Sequence, residues 1–356
     1  MEKIHIKTPG RVCLYGDHQD YLGLPVIACA IDRYIELQAH PIDEPELRID
    51  LPDLGMERII DLRQSTLKVE PNDHLASGLK VIQDLRLETD QGYKVTISGN
   101  LPINAGVSSS SAVMVAWMHF LSQAYDLTVD AEQLGQLAYQ AEVVEHNSPG
   151  GNMDQLTIAC GGVVHIDTQG QGKVKSLMAP KMGLVLGVSG LPKTTLGTLG
   201  SNRQKAELAV QQVKVSSPAF DLHLCSPDEI HGYKNLIDTD NYAAFEAAIW
   251  NHAITQAALT ELHQESADLE KLGSLMTRHH ELLRDKLQLS TPLIEDMLNA
   301  AYKKGALGGK IVGSGGGGCV ICLCYPGQEK AIAESMMTAG AKDAFKVNVS
   351  AGSQKL

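Results

Sequence analysis

Three short segments of this 356-residue chain gather side chains that could do chemistry. The first is Gly10-Arg11-Val12-Cys13-Leu14-Tyr15-Gly16-Asp17-His18-Gln19-Asp20-Tyr21-Leu22-Gly23. It sets an arginine, two aspartates and a histidine at the end of a strand-like run. Alternation puts Arg11 and Cys13 on one strand face. Polar groups clustered there suit a polyhydroxylated ligand, and equally an ordinary solvated turn. The second is Pro102-Ile103-Asn104-Ala105-Gly106-Val107-Ser108-Ser109-Ser110-Ser111-Ala112, between a strand and an apolar helix. Gly106 permits a turn that other residues resist. The unpaired N–H groups and positive dipole end of the helix suit a phosphate. One serine would serve as a cap; four in a row favour an anion site, and their hydroxyls add donors and a candidate Mg²⁺ ligand. The third pairs Glu142, in a helical pattern, with Asp154 in Gly150-Gly151-Asn152-Met153-Asp154-Gln155. Phosphoryl transfer to a hydroxyl asks for a carboxylate near that hydroxyl, a carboxylate or hydroxyl on Mg²⁺, and donors on the phosphates. These segments supply each part.

Two glycine-rich stretches remain. Gly313-Ser314-Gly315-Gly316-Gly317-Gly318 joins two strand-like runs. Such a run costs chain entropy and packs no side chain, so it belongs where backbone closely approaches another backbone or a ligand. Gly187 to Thr194 nearly spells a G-x-x-x-x-G-K-[ST] phosphate loop. Pro192 stands at its second required glycine, removing an N–H and setting φ, so it reads as a decoy.

The elements that must position these residues follow from periodicity. Strand character covers 5–16, 24–41, 93–102, 161–168 and 182–190. Apolar residues at helical spacing cover 110–127 and 131–146, and 240–304 is strongly helical. The last part reads strand, glycine loop, strand, then helix at 329–340 and strand at 344–350. We expect two domains, residues 1–185 and 186–356, with the boundary near 180–200.

A formal net charge of −12 argues against a nucleic-acid partner. It does not exclude ATP, which a few N–H groups and one cation can hold. The N-terminus has no apolar signal-peptide core, and no run reaches membrane-spanning length. Seven cysteines, mostly in apolar runs, fit a reduced cytoplasm. Cys319-x-x-Cys322-x-Cys324 reads as a buried strand, because no second Cys/His pair has zinc spacing. Oligomeric state is not legible.

In this order the segments resemble the three motifs of the GHMP kinases, from Pro9 to Cys319. The first is similar to the galactokinase signature P-G-R-V-N-L-I-G-E-H-T-D-Y-N-G, and the second to P-x-x-x-G-L-S-S-S-A. Ala141-Glu142 and Pro149 to Gln155 are similar to A-E…P-C-G-I-M-D-Q, with the same twelve-residue step from Glu to Asp. Lys310 to Cys319 resembles R-M-T-G-G-G-F-G-G-C. The resemblance implies a two-domain α+β GHMP kinase fold, with an N-terminal domain like ribosomal S5 domain 2, a ferredoxin-like C-terminal domain and the active site in the cleft. It implies an ATP- and Mg²⁺-dependent kinase for a small sugar. Asp154 would be the carboxylate beside the sugar hydroxyl. Arg11 would lower its pKa and stabilise the transferring phosphoryl group. Ser110 and Glu142 would hold Mg²⁺, and Gly106, Val107, Ser108, Ser109, Ser110 and Ser111 would cradle the phosphates. Asp17, His18, Asp20 and Gly151 would bind the sugar, supported by Gly316 from the second domain. The segment Asn72 to Gly78 resembles the approach to the family's adenine pocket. Four positions depart from the pattern: Asp17 for Glu, Gln19 for Thr, Gly150 for Cys, and Ser314 at the second glycine of the last motif. They leave the sugar open among galactose, arabinose, a uronic acid and a heptose derivative. A mevalonate-like alcohol and a sugar sensor without turnover are the other readings.

Overall fold

The computed structural model describes residues 3–64, 68–103, 105–192 and 196–356, with backbone alone over 196–199. Two sheets organise it. The first holds β1 (Ile4–Tyr15), β2 (Val26–Ile42), β3 (Glu46–Leu51), β4 (Met56–Asp61), β5 (Gly92–Gly99), β6 (Val163–Asp167) and β7 (Lys173–Leu177). The second is antiparallel, built from β8 (Gly183–Val188), β9 (Gly308–Val312), β10 (Cys319–Cys324) and β11 (Asp343–Val347) in the order β11-β8-β10-β9. A short β12 (Gln354–Lys355) then returns to pair with β1. The chain changes sheet between β7 and β8, but its last strand belongs to the first sheet.

The helices are α1 (His74–Asp84), α2 (Ser109–Ala124), α3 (Ala131–Tyr139), α4 (Met153–Cys160), α5 (Leu196–Ser216), α6 (Thr239–Leu262), α7 (Leu269–Asp285), α8 (Pro292–Lys303) and α9 (Glu329–Thr338). α2 buries Met114, Val115, Trp117, Met118, Phe120 and Leu121. A helix so apolar around its circumference belongs inside the protein. It packs on β1 and β2 on one side and on α1, α3 and α4 on the other. The Trp117 indole N–H donates to Leu75 O at 2.9 Å, so no polar group is stranded there.

Residues 240–304, expected as one helical stretch, divide at two caps. The Asp268 carboxylate accepts from Glu270 N and Lys271 N, and Thr291 caps α8 with Pro292 in its first turn. The hairpin β3–β4 and helix α5 were not expected. Ile59 in β4 is exposed, so the hairpin lacks a clean alternation. Among its described side chains α5 buries Asn202 and the small apolar residues Ala206, Ala209 and Val213, which weakens its periodic signal. Of the decoy phosphate loop, Gly187 lies in β8, and Lys193 and Thr194 lie outside the described residues. Among the described residues, no helix is long and apolar enough to cross a membrane.

The halves meet over a shared core. Val12 and Leu101 pack in one apolar cluster with Val312, Cys319 and Ile321. The Tyr15 hydroxyl of β1 donates to Leu272 O in α7 at 2.7 Å.

Candidate active site

β1 carries Arg11 into this junction. The residue is 4% exposed, and a buried guanidinium must be paired. Its Nε donates to Asp154 Oδ1 at 2.7 Å, and its Nη1 to Gly106 O at 2.6 Å. Burial opposes its charge, but Asp154 and Asp17 more than restore it, and its pKa is raised. Asp154 sits in the first turn of α4, a quarter exposed toward the space in front of Arg11.

Ser108 takes a left-handed conformation (φ 55°) before α2 and does not cap it. Its hydroxyl donates instead to the second oxygen of Asp154. Two donors thus hold this carboxylate in one orientation. Among the described residues, the N-cap side chain makes no bond to the first-turn N–H groups of α2, and Ser110 is exposed beside them. The Ser111 hydroxyl donates to Glu142 Oε1 at 3.1 Å, and Gln155 Nε2 to Glu142 Oε2 at 2.6 Å. Glu142 lies in a π-helical turn, Gln140–Val144, a local widening often found at functional positions. Burial raises its pKa, against the bonds from Gln155 and Ser111, and the charge of Asp154 adds to the rise. Gln155 Oε1 is buried without a partner. A half-buried carboxylate, an exposed hydroxyl and an orphaned amide oxygen are the hard oxygen donors that Mg²⁺ takes alongside phosphates. Among the described residues, no three His, Cys, Asp or Glu side chains gather as a metal site. A cation here would therefore lean on the nucleotide for most of its ligands.

On the other side, Gly16 (φ 100°) turns the chain after β1 and brings up Asp17, His18 and Asp20. His18 is buried and itself left-handed (φ 63°). Its Nδ1 faces the Tyr21 hydroxyl at 3.3 Å, and the Gly313–Ser314 backbone reaches its ring. Burial lowers its pKa. Burial, and then the charge of Asp154, push Asp20 up to about 7. A Cβ on Gly151 would collide with the Asp20 carboxylate, so glycine there is what lets Asp20 into the site.

A cavity of about 200 Å³ collects these groups: Arg11, Asp17, His18, Asp20, Ser110, Ser111, Glu142, Gly151 and Asp154, with Gly106 and Ser314. His74, at the start of α1 in the segment read as the approach to adenine, also lines it. Val107, Ser108, Ser109 and Gly316 stand outside its wall. Val107 acts through its carbonyl, which accepts from Arg11 N at 3.2 Å. Gly316 was expected to support the sugar, but its N–H donates to Leu289 O at 2.8 Å; Gly313 and Ser314 reach the cavity in its place. The glycine run is explained by its neighbours. A Cβ on Gly318 would come within 2.8 Å of Ala105 O, and one on Gly106 within 2.6 Å of Val312 O. The loop approaches another backbone, that of the serine loop, and locks the two halves together.

Asp17 lines the cavity, and it is also tied into the protein. Expected to bind sugar hydroxyls, it has both carboxylate oxygens engaged by the protein. One accepts from Lys310 Nζ and the other from Gly313 N at 3.1 Å. Lys310 is fully buried, and also donates to Cys13 O and Ile311 O. The sequence carried a signal for this: a lone lysine in the apolar strand Gly308–Val312 demands a counter-charge. A wider cleft of about 740 Å³, between Leu101 and Phe345, holds none of the site carboxylates above.

Comparison with known proteins gives the family. A model of the GHMP kinase N-terminal domain matches residues 75–162, and one of the C-terminal domain matches 257–342. The galactokinase galactose-binding signature matches residues 2–41. Together they cover more than half of the chain, which belongs to the GHMP kinases and is a small-molecule kinase of that family; GHMP kinases take phosphate from ATP. The mevalonate kinase of Pyrococcus furiosus is 25% identical over 95% of this chain and 94% of its own. The structure of Lactococcus lactis galactokinase complexed with galactose superposes with a TM-score of 0.88 at 22% identity, over 100% of this chain and 95% of that one. The Methanococcus jannaschii mevalonate kinase structure gives 0.72 at 23%, over 98% and 99%.

Proposed function

We propose that the protein phosphorylates a monosaccharide at its anomeric hydroxyl, using Mg-ATP. One observation carries the reading. His18 and Asp20, which lie within the stretch matched by the galactose-binding signature, face the same cavity as the Arg11–Asp154 pair. The first-turn N–H groups of α2 would receive the phosphates, and Ser110 and Glu142 would hold Mg²⁺. The metal, when bound, neutralises phosphate charge. Asp154, oriented by Arg11 and Ser108, accepts or steers the proton of the sugar hydroxyl. Arg11 puts a fixed positive charge beside the point of transfer, where it acts without reorganisation. Asp20 and His18 orient the sugar ring, so that most of the acceleration comes from positioning.

A second reading has its own support. The full-length relative from Pyrococcus is a mevalonate kinase, so mevalonate belongs in the test. The experiment is coupled ADP release with Mg-ATP against galactose, arabinose, glucuronate, galacturonate, mannose and mevalonate. We expect one sugar to dominate. Turnover of mevalonate alone would overturn the sugar reading. ATP binding without turnover of any compound would favour a sensor.

A further inference from the structure

A second cavity, of about 320 Å³, adjoins the first. Asp20, Tyr21 and Gly151 line both, whereas Arg11, Ser110, Glu142 and Asp154 line the first only. The wall between them is thin. Gly151 has no side chain, and a Cβ there would collide with the Asp20 carboxylate.

Asn152, in the wall of the second cavity, points to a ligand. It is 3% exposed, and its Oδ1 is buried without a partner. It stands just before α4, where an asparagine ordinarily caps the helix, yet its side chain makes no capping bond. A buried acceptor left in this way costs stability. One water would satisfy it, but the cavity far exceeds the roughly 30 Å³ share of a water. It reaches the range of small-molecule sites, roughly 300–1,000 Å³.

The remaining wall defines the chemistry. Arg203 donates through Nε to Glu207 Oε1 at 2.8 Å and through Nη1 to Pro149 O at 3.1 Å. Its Nη2 and the Tyr139 hydroxyl, both at this cavity, make no hydrogen bond among the described residues. Arg203 and Asp20 both lie close enough to act on that hydroxyl by charge. The wall thus offers one unused acceptor and two unused donors, with the rings of Tyr21 and Tyr139 as apolar surface. Glu207 offsets the charge of Arg203, and an anion would also meet Asp20 in the shared wall. Mixed donors, acceptors and ring surface without a strong net charge suit a neutral hydroxylated ring.

Resting on the sugar-kinase reading, we propose that this cavity binds a second neutral, hydroxyl-rich ring, set against the phosphorylated one across Asp20 and Gly151. Asn152 Oδ1 accepts from one of its hydroxyls, and Tyr139 and Arg203 donate to others. The ring is either a second sugar molecule or the further residue of a disaccharide acceptor. The wall meets the same chemistry in both.

The test is calorimetric titration of the full-length protein without ATP, which reads binding whether or not the sugar is turned over. The probes are galactose, arabinose and mannose, and disaccharides carrying the tightest of these at the reducing end. Two molecules of the monosaccharide per chain would mark a free second sugar. One monosaccharide per chain, with a disaccharide bound about tenfold tighter or more, would mark an attached ring. In either case Tyr139→Phe should weaken that additional binding about five- to tenfold, the worth of one hydrogen bond. The KM values for the monosaccharide and for ATP should not move. Arg203→Lys, which keeps the charge but loses the planar fork, should act in the same direction. One monosaccharide per chain with no gain from any disaccharide would overturn the proposal and leave the kinase reading intact. So would a Tyr139→Phe variant whose monosaccharide KM rises by the same factor, because the hydroxyl would then belong to the acceptor site. Two sugars bound without turnover of any compound would keep the second site and sink the kinase reading. If no sugar binds, both fall.

Discussion

The Arg11–Asp154 pair is the most demanding feature at the scale of single residues. A buried arginine is tolerated because its guanidinium reaches one carboxylate and one carbonyl. Replacing Asp154 with Asn preserves the shape but removes the group that takes or steers the hydroxyl proton. We expect kcat to fall about 10²–10⁴-fold while nucleotide binding, followed by titration of a fluorescent ATP analogue, is retained. Near-normal turnover would remove Asp154 from the reaction. Asp20 offers a second test through pH. Its folded pKa of about 7 lies above the ordinary carboxyl value, so between those values the folded state holds a proton that the unfolded state has lost. Its contribution to stability is therefore full at low pH and lost as pH rises through about 7. Asp20→Asn cannot titrate. Its melting temperature should gain on that of the native protein between pH 5 and pH 8, and parallel curves would refute the shift. Much of this was legible in the sequence, because the motifs name Arg11, Asp154, Glu142 and the serines. The lone lysine in β9 signalled a counter-charge but not which one, since Asp17 lies 293 positions away and no local rule joins them.

At the scale of elements, the site is a product of two loops in backbone contact. Gly106 turns with φ 90° in front of α2, and Gly313 to Gly318 pass close beside it. Periodicity identified the strands around these loops and the apolar helix behind the serines, because each buries a regular face. It could not identify which glycines meet a ligand and which meet a chain, since that depends on the opposite half. The structure answers that Gly106 meets Val312 O. Alanine there would suffer twice, from a left-handed backbone and from a collision with a carbonyl that is itself part of β9. We expect Gly106→Ala to lose about 2–4 kcal/mol in urea unfolding, and to weaken ATP binding because the start of α2 is displaced. A variant with native stability would mean that the loops do not bear on each other as described. α5 and the β3–β4 hairpin escaped the reading for a plainer reason. Their inner faces are small or interrupted, and the pattern that marks an amphipathic element is faint.

For the whole molecule, the question is whether the two sheets unfold together. The division near residue 180 suggests two units, but three features cross it. β12 pairs with β1, the Lys310–Asp17 pair is buried at the junction, and one apolar cluster takes side chains from both sheets. Separating the halves would expose that cluster and leave two unpaired charges, so a state with one half folded is strongly disfavoured. The two tryptophans provide the measurement. Trp117 is fully buried in α2 against the first sheet, and Trp250 lies in α6 beside Arg278 in the second half of the chain. Trp117→Phe and Trp250→Phe leave one reporter each. Each variant has its own stability, so each is compared with its own far-ultraviolet circular dichroism. We expect the fluorescence and circular-dichroism midpoints in urea to coincide within each variant, the mark of a single cooperative transition. A Trp250 signal that moves at clearly lower urea than the ellipticity of the same protein would show the second half melting first. The cleft would then be held by contacts that yield before the sheets do, and the buried ion pair would be a local fastening rather than a link in one cooperative structure.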